Sequence, residues 1–219
     1  MFNIELVDFT IVIPTKDRPF YVERILTYYL SMNFLGNILL IDSSNKENSN
    51  YIREYVDNIG KKNYVYTFSD GLPVQVVKEN LDLIKTKYVS FLGDDDYIIP
   101  NSVLKSISFL EKNLDISGCR GEGFIVTDPK ISSEYIKMYG CTQRLEGSSG
   151  DRLYKFFSNY TPPLFHVCRS NIFKKAFSQA PSMDEINKGY DRLIGDEIIV
   201  TSLMLVYGKF ASIPGLHLV

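Results

Sequence analysis

The chain has 219 residues, 45 % of them aliphatic or aromatic and 23 % charged, with a net charge of −2. That length fits one domain with ample apolar material for a core, and the absence of a basic excess argues against non-specific nucleic-acid binding. No apolar stretch approaches the roughly 18 residues of a membrane span, and the N-terminus has no charged segment leading into an apolar one, so no signal peptide is expected.

The first half alternates between two periods. Phe9-Thr10-Ile11-Val12-Ile13 is a β-branched run stopped by Pro14. From Pro19, residues Phe20, Ile25, Leu26, Tyr29 and Leu30 recur at helical spacing. Pro19 suits the first turn of that helix, and Asp17 is placed to cap it. Ile38-Leu39-Leu40-Ile41 reads as a buried strand stopped by Asp42-Ser43-Ser44. Tyr51, Ile52, Tyr55, Val56 and Ile59 predict a helix closed by Gly60. Tyr64–Phe68 predicts a strand, residues 74–86 a helix through Val77, Leu81 and Ile84, and residues 87–92 another strand. Pro100 opens a helix with Val103, Leu104, Ile107, Phe109 and Leu110.

The second half is less regular. Cys119–Val126 predicts a strand, 127–150 a loop-rich stretch with a flexible Gly147-Ser148-Ser149-Gly150, and Asp151–Tyr160 a helix. Leu164–Cys168 predicts a strand, Asn171–Phe177 a short helix, 178–195 a loop, and Asp196–Tyr207 an apolar helix ended by Gly208. Gly215–Val219 is an apolar, strand-like run, from which the domain is expected to continue past Val219. Cys119, Cys141 and Cys168 are odd in number and form no CxxC pair. Neither a zinc site nor a disulfide framework is signalled, and reduced cysteines of a cytoplasmic protein are the expectation. His166 lies inside an apolar run and is expected in the core.

Strands alternating with helices imply an α/β fold with a mostly parallel sheet covered on both faces. Three strands then end in polar clusters: Lys16-Asp17-Arg18, Asp42-Ser43-Ser44 and Asp94-Asp95-Asp96. In a right-handed βαβ series these ends share one edge, where ligands bind. The acidic triplet is the sharpest feature. Adjacent carboxylates repel and rise in pKa unless a cation compensates. Mg²⁺ and Mn²⁺ are suited to that task, because hard cations prefer carboxylate oxygens. The plainer reading is a solvated acidic turn.

These segments together resemble family 2 glycosyltransferases of the GT-A type over residues 8–113. Val12-Ile13-Pro14-Thr15-Lys16-Asp17-Arg18-Pro19 is similar to the family's first strand end. Ile41-Asp42-Ser43-Ser44 approximates its second, with Ser43 where many members have a second Asp. Leu92-Gly93-Asp94-Asp95-Asp96-Tyr97-Ile98-Ile99-Pro100 matches the acidic strand end, with Gly93 where an acidic residue often falls. Asp196-Glu197 stands ahead of Gly208-Lys209 as the family's late acidic pair does, in reversed order.

The resemblance implies one GT-A domain over 1–219, with a nucleotide-sugar-binding half (1–113) and an acceptor-side half (114–219). It implies inverting, metal-assisted transfer from a nucleotide-diphosphate sugar, by family weight UDP-linked. The acceptor is a hydroxyl on a glycan, glycolipid or protein, and the setting is cytoplasmic, with room for peripheral contact at the inner membrane face. By the same resemblance Asp95 and Asp96 hold Mn²⁺ or Mg²⁺, with Asp94 beside them. Pro14, Thr15, Asp17, Asp42 and Ser43 contact base or ribose, and Arg18 and Lys78 are candidates for the phosphates. Glu197 or Asp196 is the catalytic base, the choice between them open. His217 stands where some related enzymes present an extra metal ligand, and aromatic residues of 154–165 are candidates for stacking on an acceptor sugar.

Two other readings compete. A sugar-phosphate nucleotidyltransferase needs a Gly-rich basic loop after the first strand, and Pro14–Pro19 contains no glycine. A non-catalytic GT-A-like binding module is left open by Ser43, Gly93 and the reversed acidic pair.

Overall fold

The computed structural model describes residues 8–127, 136–181 and 192–219. Four strand–helix units come first: β1 (Phe9–Thr15), α1 (Pro19–Ser31), β2 (Asn37–Asp42), α2 (Lys46–Ile59), β3 (Tyr64–Phe68), α3 (Pro73–Glu79), β4 (Tyr88–Phe91) and α4 (Pro100–Lys112). Then follow β5 (Gly118–Val126), β6 (Ile136–Tyr139), α5 (Ser149–Ser158), β7 (Val167–Arg169), α6 (Ser170–Gln179), α7 (Arg192–Tyr207) and β8 (Phe210–Leu218). They build one eight-stranded sheet in the order β3-β2-β1-β4-β7-β5-β6, with β8 beside β5. The pairings among β1–β4 and between β5 and β8 are parallel, and only β6 and β7 run against the rest.

Both faces of the sheet are covered, which is why β1, β2 and β4 are buried at nearly every position and mostly apolar. Phe9, Ile11 and Ile13 of β1 pack with Val22, Ile25 and Leu26 of α1 on one side. Val12 points the other way, into a cluster with Leu39, Ile41, Val76 and Val77 and with Val200 and Met204 of α7. Gly60 closes α2 at φ 65, a conformation that glycine adopts without steric cost.

The chain moves outward from β1 through β2 to β3, then returns to the other side of β1 as β4. The crevice between the carboxyl ends of β1 and β4 is therefore a switch point, where α/β sheets bind ligands.

Several local expectations differ from the structure. The predicted 74–86 helix stops at Glu79, where the Asn80 side chain donates to the Val76 carbonyl, and a 3-10 turn follows at Leu81–Leu83. The strand expected from Leu164 starts only at Val167, because Pro163 begins a 3-10 turn. Gly147–Gly150 is not a loose linker: Ser148 caps α5 by accepting from the Asp151 N–H. Ile136–Tyr139, read as loop, pairs antiparallel with β5. It escapes sequence reading because four residues are too few for a period to stand out, and Ile136 and Met138, though apolar, are exposed. The rest of the loops expected at 127–150 and 178–195 lies partly outside the described residues. α7 begins at Arg192, so Asp196 and Glu197 sit a turn inside the helix rather than at its start. No described helix is long and apolar enough to cross a membrane.

Candidate functional site

Parallel pairing of β1 with β4 brings Val12 opposite Phe91. The segments that follow, Pro14–Arg18 and Leu92–Asp96, therefore emerge side by side. Asp94 is buried, and its two oxygens are divided between partners. Oδ2 accepts from the Thr15 hydroxyl at 2.6 Å, and Oδ1 pairs with Arg18 NH1 at 2.6 Å. Arg18 NH2 reaches Asp95 Oδ2 at 2.8 Å, on a carboxylate that is half exposed. The guanidinium lies 3.9 Å from the centre of the Tyr21 ring, a favourable cation–π placement.

Charge is unevenly compensated across the triplet. Burial raises the Asp94 carboxyl above its usual range, against the opposing pull of Thr15 and Arg18. Asp96 is pushed up to about 6, by burial first and then by Asp95 and Asp94. Gly93 shapes the space between these groups: a Cβ placed there would lie 2.9 Å from Asp96 Oδ2 and 3.1 Å from Asp95 Oδ1. The two carboxylates thus fold back over the Gly93 backbone, and a side chain there would press on their ends.

Beside this cluster lies a cavity of about 600 Å³. Pro14, Thr15, Lys16, Arg18, Ser43, Gly93, Asp94 and Asp95 form its polar side. Leu72, Pro73, Val76 and Phe91 form an apolar wall, and Glu197 enters from α7. Tyr160, which follows α5, donates its hydroxyl to Glu197 Oε1. Asp196 is 7 % exposed and does not line the cavity, so the two members of the acidic pair occupy different environments. A second cavity of about 800 Å³ lies on the far side of Asp95, with Tyr21, Arg24, Asp96, Tyr97, Tyr139 and Phe165 among its walls.

Of the residues nominated from sequence, Pro14, Thr15, Arg18, Ser43, Asp94, Asp95 and Glu197 meet at the first cavity, and Asp96 faces the second. Three nominated binding residues stand elsewhere. Asp17 does not cap α1, whose N-cap is Arg18 without a side-chain bond. At φ 55 its carboxylate turns instead toward α2. It accepts there from Asn45 N at 2.9 Å, Asn45 Nδ2 at 2.6 Å and Asn48 Nδ2 at 2.9 Å. The Asn48 bond, followed by the Asn45 bond, holds that carboxyl below its usual range. Asp42 is fully buried, and its oxygens accept from Ser44 N at 2.9 Å and the Tyr66 hydroxyl at 2.8 Å. It fastens the turn after β2 and leaves the cavity to Ser43. Lys78 Nζ donates to the Ala180 carbonyl at 2.8 Å, fastening α3 to the end of α6.

The histidines divide differently from expectation. His166 is in the core, as its apolar neighbours imply, and burial holds its pKa well below the usual value. His217, named as a place for an extra metal ligand, has both ring nitrogens engaged by other protein groups. It is fully buried, with Nδ1 2.9 Å from Ser102 Oγ and Nε2 3.2 Å from the Phe165 carbonyl. Burial, and then Arg120, lower its pKa to about 4. Among the described residues no group of three or more His, Cys, Asp and Glu side chains is arranged to hold a metal ion.

Sequence reasoning overlooked the wall from Gly71 to Val76. Its signal was available: the third parallel strand also ends in a polar turn, Ser69-Asp70-Gly71, on the same edge of the sheet. Of the aromatic residues of 154–165 named as candidates for stacking on an acceptor sugar, Phe165 lines the second cavity and Tyr160 meets Glu197.

No family model and no curated protein matches the chain. Solved structures do. S. aureus TarS superimposes with a TM-score of 0.66 at 14 % identity, over 96 % of this chain and 36 % of that one. Its fragment 1-349, solved in complex with UDP, gives a TM-score of 0.65 at 14 % identity, over 96 % of this chain and 59 % of the fragment. The same fragment in complex with UDP-GlcNAc gives 0.63 at 14 % identity, over 96 % and 57 %. The chain thus spans about a third of the length of TarS, and the likeness is one of fold.

Proposed function

We propose that this protein is a nucleotide-sugar glycosyltransferase, moving a sugar from a UDP-linked donor to an acceptor hydroxyl on a glycan, glycolipid or protein, with inversion and with help from a divalent metal. The observation that carries the reading is that Glu197, from α7, lines one cavity together with the Arg18–Asp94–Asp95 cluster. The fold it shares with structures that hold UDP and UDP-GlcNAc supports the same assignment.

The diphosphate lies against Arg18, whose planar fork suits phosphate oxygens, with the nucleoside along Pro14, Thr15 and Ser43. Asp95 and Asp96 are the residues that would hold Mn²⁺ or Mg²⁺. The fit rests on the cradle over Gly93, where Asp96 Oδ2 and Asp95 Oδ1 come within 2.9 Å and 3.1 Å of one point. When bound, such an ion supplies Lewis-acid stabilisation of the departing diphosphate. Glu197 takes the proton of the acceptor hydroxyl as that oxygen bonds to the anomeric carbon and the bond to the diphosphate breaks. Tyr160 holds Oε1 of Glu197, leaving Oε2 for the proton. Attack from the Glu197 side, opposite the leaving group, inverts the anomeric centre. Asp196, packed away from the cavity, is the neighbour rather than the base.

The test is calorimetric titration of UDP, GDP and CDP, each with and without Mn²⁺, on the wild type and on Asp95→Ala. The expected result is metal-dependent binding of UDP that the variant loses. Binding of no nucleotide under either condition overturns the reading. Metal-dependent UDP binding with neither hydrolysis nor transfer of any UDP-sugar would instead select a non-catalytic binding module.

A further inference from the structure

Arg18 is held by two contacts of unequal strength. NH1 meets Oδ1 of Asp94, which is buried and also fixed by Thr15. NH2 meets Oδ2 of Asp95, which is half exposed. An ion pair exposed to that degree is weakly held in water. The first contact is an anchor and the second is free to change partner, since Arg18 itself lines the cavity. Arg18 thus already offsets part of the charge of Asp94 and Asp95 before any ligand arrives.

We propose that Arg18 is the resident counter-ion of the acidic cluster, and that a divalent cation and a nucleoside diphosphate displace its Asp95 contact together, each tightening the other. The proposal rests on reading the cavity as the donor site. A divalent cation arriving alone at Asp95 and Asp96 meets a guanidinium already bound to the same Asp95 carboxylate, and the like charges repel. A diphosphate in the cavity offers NH2 a new charge-assisted acceptor while NH1 keeps Asp94. Asp95 is then released to the cation. Linkage makes the effect reciprocal, so the cation tightens the diphosphate by the same factor. If Arg18 were only another phosphate contact, its removal would weaken diphosphate binding equally with and without metal.

The experiment measures Mn²⁺ affinity of the full chain by calorimetry, with and without saturating UDP, for the wild type, Arg18→Gln, Arg18→Lys and Arg24→Gln. Arg24 is the control for charge alone, because its NH2 lies 3.4 Å from the Asp95 backbone carbonyl and not on the carboxylate. Without UDP, Arg18→Gln is expected to bind Mn²⁺ about tenfold more tightly than the wild type, within the usual range of site coupling, while Arg24→Gln changes little. UDP is expected to tighten Mn²⁺ in the wild type and to do so less in Arg18→Gln. Arg18→Lys, whose point charge lacks the fork, is expected to fall between and keeps the test alive if the glutamine variant misfolds. Unchanged Mn²⁺ affinity in both Arg18 variants without UDP overturns the proposal. So does an enhancement by UDP that is the same with and without Arg18, or an equal gain in Arg24→Gln. If UDP binds none of the proteins, the donor-site reading fails, and the nucleotide-free Mn²⁺ comparison still decides the counter-ion role.

Discussion

Asp96→Asn is expected to stabilise this protein at alkaline pH and to lose that advantage in acid. The Asp96 carboxyl is pushed from 3.8 to about 6, by burial and then by its two acidic neighbours. An acid raised in this way binds its proton more tightly in the folded chain than in the unfolded one. Its contribution is therefore full below about 3.8 and is lost as the pH climbs through about 6. Each pKa unit corresponds to about 1.36 kcal/mol, so the loss at pH 8 is on the order of 2–3 kcal/mol. For a chain of this size that is about 5–10 °C in melting temperature. Asparagine keeps the shape and carries no charge at any pH. Urea unfolding with chelator present, at pH 8, 6 and 4, checks it: the variant should be the more stable protein at pH 8, and the gap should close by pH 4. A gap that does not change with pH, or a less stable variant at pH 8, would refute the argument that burial and two acidic neighbours penalise the Asp96 charge.

Glu197→Gln should lower turnover by about 10²–10⁴-fold, the usual weight of a general base, while UDP affinity measured by calorimetry stays unchanged. Gly93→Ala should leave the circular dichroism spectrum intact but weaken metal-dependent UDP binding, because its Cβ would drive apart Asp95 and Asp96. Equal affinity in that variant would remove the cradle argument. Tyr66→Phe takes one of the two partners of the buried Asp42. It should cost about 1–3 kcal/mol in urea unfolding without altering UDP affinity, whereas a large loss of affinity would return Asp42 to the binding site.

The fold was largely legible because its inner strands are buried on both faces. Continuous runs such as Ile38–Ile41 and Phe9–Ile13 have no other reading once Pro14 and Asp42 stop them. Helix ends set by local chemistry, such as Gly60 and Pro100, were legible for the same reason. β6 was not, since an exposed edge strand of four residues is too short for its alternation to stand out. Nor was the late entry of β7, where a proline turn outweighs an apolar run.

The candidate site divides along the same line. That Thr15, Arg18 and the Asp94–Asp96 triplet would share an edge follows from strand order in the sequence, because parallel strands joined by right-handed crossovers end on one side. Which partner each charge takes does not follow. Asp17, Asp42 and Arg18 all stand at strand ends and look equally available in sequence. Asp17 is taken by Asn45 and Asn48 and Asp42 by Ser44 and Tyr66, whereas Arg18 pairs with Asp94 and Asp95 and still lines the cavity. Glu197 lines the cavity and Asp196 does not, although they are neighbours in the chain. The sequence determined which chemical groups reach the carboxyl edge of the sheet. Tertiary structure alone decided which of them remain exposed to a ligand, because burial and a hydrogen bond to a residue distant in the chain are what commit a charged group to the fold.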